Sequence, residues 1–136
     1  MSRRSRAREF ALQVLYQDDV NAGAEPGEGE TYLRTRLRKD DLLDFSSSLV
    51  DGVRENREEI DALLDRVCDN WTLERMAATD RNVLRIGAYE ILHTKTPVRV
   101  VLNESVELAK RFGSRPSAQF VNGILDRVLT ECGRQD

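Results

Sequence analysis

The sequence predicts an all-α fold of about seven helices in two packed bundles, forming a single domain over residues 1–136. Three observations carry this. Apolar residues recur at i, i+3, i+4 and i+7 along most of the chain, and no stretch shows the strict alternation of a half-buried strand. With 40% apolar and 33% charged residues, the 136-residue chain has the composition of one globular domain able to bury its own core. One stretch, DRNVLRIGAYEIL at 80–92, has an apolar arc wide enough to be covered by several neighbours at once.

On a helix at about 100° per residue, Val83, Leu84, Ile86, Gly87, Ala88 and Ile91 fill that arc, and Arg81, Asn82 and Arg85 fall opposite. Gly costs about 1 kcal/mol relative to Ala inside a helix, so another helix should cross closely at Gly87. Glu90 also lies within the arc. A buried carboxylate is costly without a cation, so Glu90 is read as half of an ion pair with an arginine tying two helices together. The rival is a catalytic carboxylate, which little else in the sequence supports.

Residues 5–20 form the first helix, with Ser5 as N-cap and a stripe of Ala7, Phe10, Ala11, Val14 and Leu15. Tyr16 falls opposite, in line with Arg8 and Leu12. Either its ring faces outward, one turn from a basic cluster, as an RNA-contacting aromatic does, or a further helix covers it as core. Residues 21–30, NAGAEPGEGE, read as a flexible acidic loop, and 31–38 resume a short helix. Asp40 or Asp41 caps a long helical pattern over 42–67, which Asn56 and the charged run RENREE break into two helices. Thr72 caps a short turn, LERMAA, after Trp71. His93 sits at a helix C-terminus and is read as interacting with the dipole, a ligand role being the alternative. Pro97 opens the next helix and Gly113 follows its end. Ser117 starts the last helix, with Ala118, Phe120, Val121, Ile124, Leu125, Val128, Leu129 and Cys132 inside, and Gly123 on its flank as a second close-packing site. The residues from 133 onward should fray.

Several classes are excluded. No run of 18 apolar residues spans a membrane, and the basic start MSRRSRARE lacks a following apolar h-region, so no secretory signal is read. Cys68 and Cys132 read as small buried hydrophobes in a reducing cytoplasm, and with one histidine no zinc site can be composed. Gly-rich phosphate loops, HExxH, GxSxG and a Cys-His pair are all missing, so the sequence points to a binding protein with no cofactor, not to an enzyme. The net charge of −3 hides a strong asymmetry. Arg3, Arg4, Arg6 and Arg8 face one acid, Glu9. Ten acids against three arginines occupy 40–69, and 95–115 turn basic again through Lys95, Arg99, Lys110, Arg111 and Arg115. A fold that joins the two ends would set two basic patches side by side.

The ordered set ARE-F-A-L-Q-V-L-Y, DRNVLRIGAYEIL, TPVRVVLNESVELAKRFG and QFVNGILDRVL resembles the NusB family of bacterial transcription antitermination factors. The likeness covers the first helix and nearly everything from Trp71 to Leu129. It implies an all-helical, cytoplasmic protein that binds the boxA element of nascent ribosomal RNA together with the ribosomal small-subunit protein NusE. That pair recruits a complex that lets RNA polymerase read through terminators. The family's Arg-rich start corresponds to Arg3, Arg4, Arg6 and Arg8, its first-helix tyrosine to Tyr16 and the acidic start of its central helix to Asp80. Its aromatics beside the FG turn correspond to Phe112 and Phe120. The turn SRPS departs from the pattern, with Pro116 where some relatives carry an acid, and Ser5 interrupts the arginine run. Because ribosomal proteins are generally basic, NusE is expected on the acidic middle, at Glu58 and Glu59 and the adjoining C-terminal helices. Rival readings are a helical protein-binding adaptor and the RNA-binding domain of an rRNA methyltransferase, for which no Gly-rich loop after a strand stands in these 136 residues. A further reading is a homodimer that hides the Arg-rich arm.

Overall fold

The computed structural model describes residues 2–21, 27–37, 40–134 and 136. Among these residues it holds seven α-helices, a 3-10 turn at Leu73–Arg75 and no strand. The helices are α1 (Arg3–Val20), α2 (Glu28–Arg36), α3 (Asp40–Glu55), α4 (Arg57–Val67), α5 (Ala78–His93), α6 (Val98–Phe112) and α7 (Ser117–Cys132). No helix is long and apolar enough to cross a membrane.

The wide arc of the 80–92 stretch explains the architecture. Helix α5 is shared by two bundles, one with α1, α2 and α3 and the other with α4, α6 and α7. Val83, Leu84, Ile86, Ala88 and Ile91 are each at most 2% exposed. A Cβ on Gly87 would lie 2.7 Å from Leu125 Cδ1 of α7 and 2.9 Å from Ser105 Oγ of α6, so the expected close crossing is there and involves two helices. A second such site, Gly52, has no forewarning in the sequence: a Cβ there would run into the Tyr89 ring. Gly123 differs from expectation, with nothing within 4 Å of the Cβ position.

Arg81, Asn82 and Arg85 do not face solvent as the helical projection suggested; Asn82 and Arg85 are buried. The C-terminal end of α1 and the side of α4 close over them. Asp19 Oδ2 accepts from Arg81 Nε at 2.7 Å, Asn82 Nδ2 at 2.9 Å and Arg85 Nη1 at 3.2 Å. Arg85 also donates to both oxygens of Asp61, at 2.8 and 3.0 Å. Burial by itself would raise the Asp19 carboxyl, but hydrogen bonds from Arg81 and Asn82 and the charges of Arg81 and Arg85 hold it below the ordinary carboxylate range.

The ends of elements differ in detail. Ser2, not Ser5, caps α1, its Oγ accepting from Ser5 N at 3.1 Å, so the arginines of the first turn are helical. Helix α2 begins at Glu28 after Gly27 in the left-handed region (φ +92°), which takes three residues from the expected loop; 22–26 and 38–39 lie outside the described residues. The break falls at Asn56, as expected, and its Nδ2 donates to Gly52 O at 2.8 Å. Beyond its place at the end of α5, His93 stacks on Tyr89 and sets Nε2 2.6 Å from Glu59 Oε1. Cys68 is buried, whereas Cys132 is exposed at the end of α7, away from the core. Arg134, expected to fray, donates to Glu90 O and Ile91 O in the last turn of α5 and to Thr96 O beyond it.

Candidate nucleic-acid interface

Helix α1 carries most of the expected site, and its surroundings divide that set. Arg8 is 2% exposed. Its Nε and Nη2 donate to the two oxygens of Glu90 at 3.0 and 2.8 Å, and Nη1 lies 3.4 Å from Glu104 Oε1. Arg8 is therefore the cation that buried Glu90 required, and it is not available to RNA. The projection that put Arg8 outside assumed one apolar stripe, but α1 packs against both α3 and α5, and Glu104 of α6 reaches Arg8 as well. Arg3, Arg4 and Arg6 are exposed. The Arg4 guanidinium lies 4.5 Å over the Phe45 ring, and that of Arg6 lies 5.8 Å from the Phe10 centroid.

The side of α1 left open carries Arg6, Gln13, Tyr16 and Gln17. Of the two readings of Tyr16, the outward one holds: the residue is 37% exposed. Its ring lines a cavity of about 890 Å³ whose other walls include Phe112 at the end of α6, Tyr32 of α2 and Thr79 of α5. Phe112 is 38% exposed. The Asp18–Arg54 pair, hydrogen-bonded twice at 2.7 and 2.8 Å, closes one edge. Asp80 follows Thr79 in the first turn of α5, half-buried, and its buried Oδ1 has no hydrogen-bond partner among the described residues. Lys110 and Arg111 precede Phe112, and Arg111 Nε lies 3.1 Å from the buried Glu9 Oε1 without hydrogen-bond alignment.

Tyr16, Phe112 and the Thr79–Asp80 corner are thus brought together, with Lys110 and Arg111 just before Phe112 in the chain and Arg6 ten residues before Tyr16. Phe120 is not part of this cavity; it is half-buried on α7 and packs against the core. Tyr32 is the wall residue that sequence reasoning missed. Its hydroxyl donates to Gln13 and its ring meets Phe10 at 6.0 Å, edge to face, contacts that depend on α2 folding back over α1. Glu58 and Glu59 are exposed on the first turn of α4, with Glu59 already facing His93. Among the described residues no group of His, Cys, Asp and Glu could hold a metal. A half-open aromatic cavity can accept a flat unsaturated ring.

Comparison with known proteins gives this geometry a context. The NusB family model matches residues 5–130. The transcription antitermination protein NusB of Anaeromyxobacter dehalogenans (strain 2CP-1 / ATCC BAA-258) is 46% identical over 130 residues, 95% of this chain and 92% of the relative. T. maritima NusB superimposes with a TM-score of 0.84 at 35% identity, covering 96% of this chain and 92% of that one. A chain in the crystal structure of antitermination factors NusB and NusE in complex with dsRNA gives a TM-score of 0.85 at 28% identity, covering 96% of this chain and 98% of that one.

Proposed function

The chain belongs to the NusB family, and from that premise we propose that it is a cytoplasmic transcription antitermination factor. It binds the boxA element of nascent ribosomal RNA together with ribosomal protein NusE and supports read-through by RNA polymerase as part of an antitermination complex. It acts by binding and not by catalysis, as one domain over 1–136. The observation that carries the RNA reading is the cavity that Tyr16 and Phe112 share, Tyr16 standing on the helix whose other end carries the exposed Arg3, Arg4 and Arg6.

Each group has a distinct task. Arg3, Arg4 and Arg6 take phosphates, which positions the strand without reading its sequence. Tyr16 and Phe112 stack an unpaired base, worth about 1–3 kcal/mol. Asp80, half-buried beside Thr79 of the cavity wall, accepts an N–H from a base edge. NusE docks on the acidic side of the molecule, at Glu58 and Glu59. Fluorescence titration of labelled boxA single strand against a scrambled strand, with and without NusE, tests this. Preferential binding of boxA that NusE tightens is expected, and equal binding of both strands under both conditions overturns it. Light scattering of the free protein decides whether a homodimer hides the arginines.

A further inference from the structure

A second cleft, of about 660 Å³, opens at the N-terminal end of α1, where α3 and the turn between α5 and α6 approach it. Arg4, Phe45, Lys95, Pro97, Val100 and Glu104 are among its walls. Arg4 and Lys95 are exposed, and among the described residues neither has a carboxylate within 4.0 Å. Among the described residues the lining holds three cations, Arg4, Arg8 and Lys95, and one carboxylate, Glu104, which accepts from Ser5 and lies 3.4 Å from Arg8; with Glu90 also held by Arg8, positive charge remains in excess. The floor is apolar, with Val100 38% exposed. Arg4 is held over Phe45, so its guanidinium is oriented before any ligand arrives, which lowers the ordering cost of binding. Arg4 and Lys95 above an apolar floor fit a chain that alternates phosphates with bases.

We propose that this cleft receives a single-stranded extension of the RNA whose base stacks at Tyr16, with Arg4 and Lys95 each taking a phosphate. The inference rests on the RNA reading above. Arg4 and Tyr16 stand at opposite ends of one helix, twelve residues apart. At 1.5 Å per residue this is about 18 Å of rise, on the order of five nucleotides at roughly 3.4 Å stacked spacing. Arg6 lies along the way. The strand footprint is therefore longer than the aromatic cavity alone requires, and Lys95 reads length and not sequence.

The test is a salt titration of RNA binding to the full chain, using a short boxA strand and the same strand extended by about six nucleotides at one end or the other, enough for the spacing above. One extension should tighten binding and steepen the dependence of log affinity on log salt. Lys95→Glu should abolish that gain and lower the slope for the extended strand by at least about 0.7, the share of one single-strand phosphate, while Lys95→Arg retains both. Short-strand binding by Lys95→Glu should match the parent, with melting curves confirming the fold. If neither extension gains affinity, or if Lys95→Glu weakens short and extended strands alike, the cleft is not an extension site. An oligoglutamate peptide that binds the parent and is lost in Lys95→Glu overturns it in favour of an acidic protein partner. A parent that binds no short strand instead overturns the RNA reading, and this inference with it.

Discussion

Arg6 and Arg8 stand two residues apart on α1, and their surroundings make them different objects. Arg6 projects into solvent near Phe10, with no carboxylate within 4.0 Å among the described residues. Arg8 is enclosed between helices and holds both oxygens of Glu90. The same contrast runs through the molecule. On the packed side every buried cation has its carboxylate, as in Arg85 with Asp61 and Asp19. On the open side Arg3, Arg4 and Arg6 keep their charge available. Residue type therefore says little about role here, and the presence or absence of a fixed counter-charge says most of it.

Breaking the buried side should have the largest effect. Arg8→Ala strands Glu90 among apolar neighbours and should destabilise by about 3–5 kcal/mol, read as a fall in the urea midpoint; Arg8→Met with Glu90→Leu should recover most of that. A single variant as stable as the parent would show that the pair is not structural. Packing shows the same contrast between glycines. Gly87→Leu should cost about 1–3 kcal/mol through overpacking against Leu125 and Ser105, whereas Gly123→Ala, facing open space, should be neutral or stabilise by up to about 1 kcal/mol. Equal melting shifts for the two would erase the distinction.

On the open side stability should hold while binding changes. Tyr16→Ala should melt near the parent yet lose about tenfold in boxA affinity, close to 1.4 kcal/mol, with an unchanged salt slope. Replacing Arg3 and Arg6 together by Ala should weaken boxA and scrambled strands alike and flatten the slope by about 1.4, two phosphates' worth. Asp19 sharpens the comparison through pH. Its folded carboxyl titrates below its unfolded value of about 3.9, so its contribution is present above that pH and is lost as pH falls through the folded value. Urea midpoints against pH should show the parent losing stability below about pH 4, with a flatter acid limb in Asp19→Asn. The smallest effect is expected at the acidic face, where reversing Glu58 and Glu59 to Lys should slow NusE association at low salt and leave it nearly unchanged at high salt. An on-rate independent of both charges returns them to a solvated face.

What the sequence revealed follows from this contrast. Signals set by a neighbour's mere presence were legible: Gly87 announced a close crossing, Glu90 required an arginine, Asn56 and Pro97 marked helix ends. Which arginine answered Glu90 was not legible, because pairing across 82 residues depends on how helices cross and not on spacing along one of them. For the same reason Asn82 and Arg85 projected outward, although charged residues can cover a helix when the covering helices bring their own carboxylates. Gly123 misled because a helical glycine looks identical in sequence whether or not anything is near it. Of the aromatic cavity, Tyr16 and Phe112 were foreseen and Tyr32 was not, since nothing local records that α2 folds back over α1. Phe120, placed in the site by resemblance, is half-buried against the core and lies outside this cavity.

The shared position of α5 has a consequence for how the molecule comes apart. A helix that serves as a wall for both bundles cannot leave one without stripping the other: losing α1 from it exposes the Arg8–Glu90 pair, and losing α7 opens the space against Gly87. Loss of one bundle should therefore weaken the other, and unfolding should be cooperative across both. Length changes in evolution should then gather in the connections outside α5, and a chain divided just before Ala78 should yield two pieces that fold only on meeting each other.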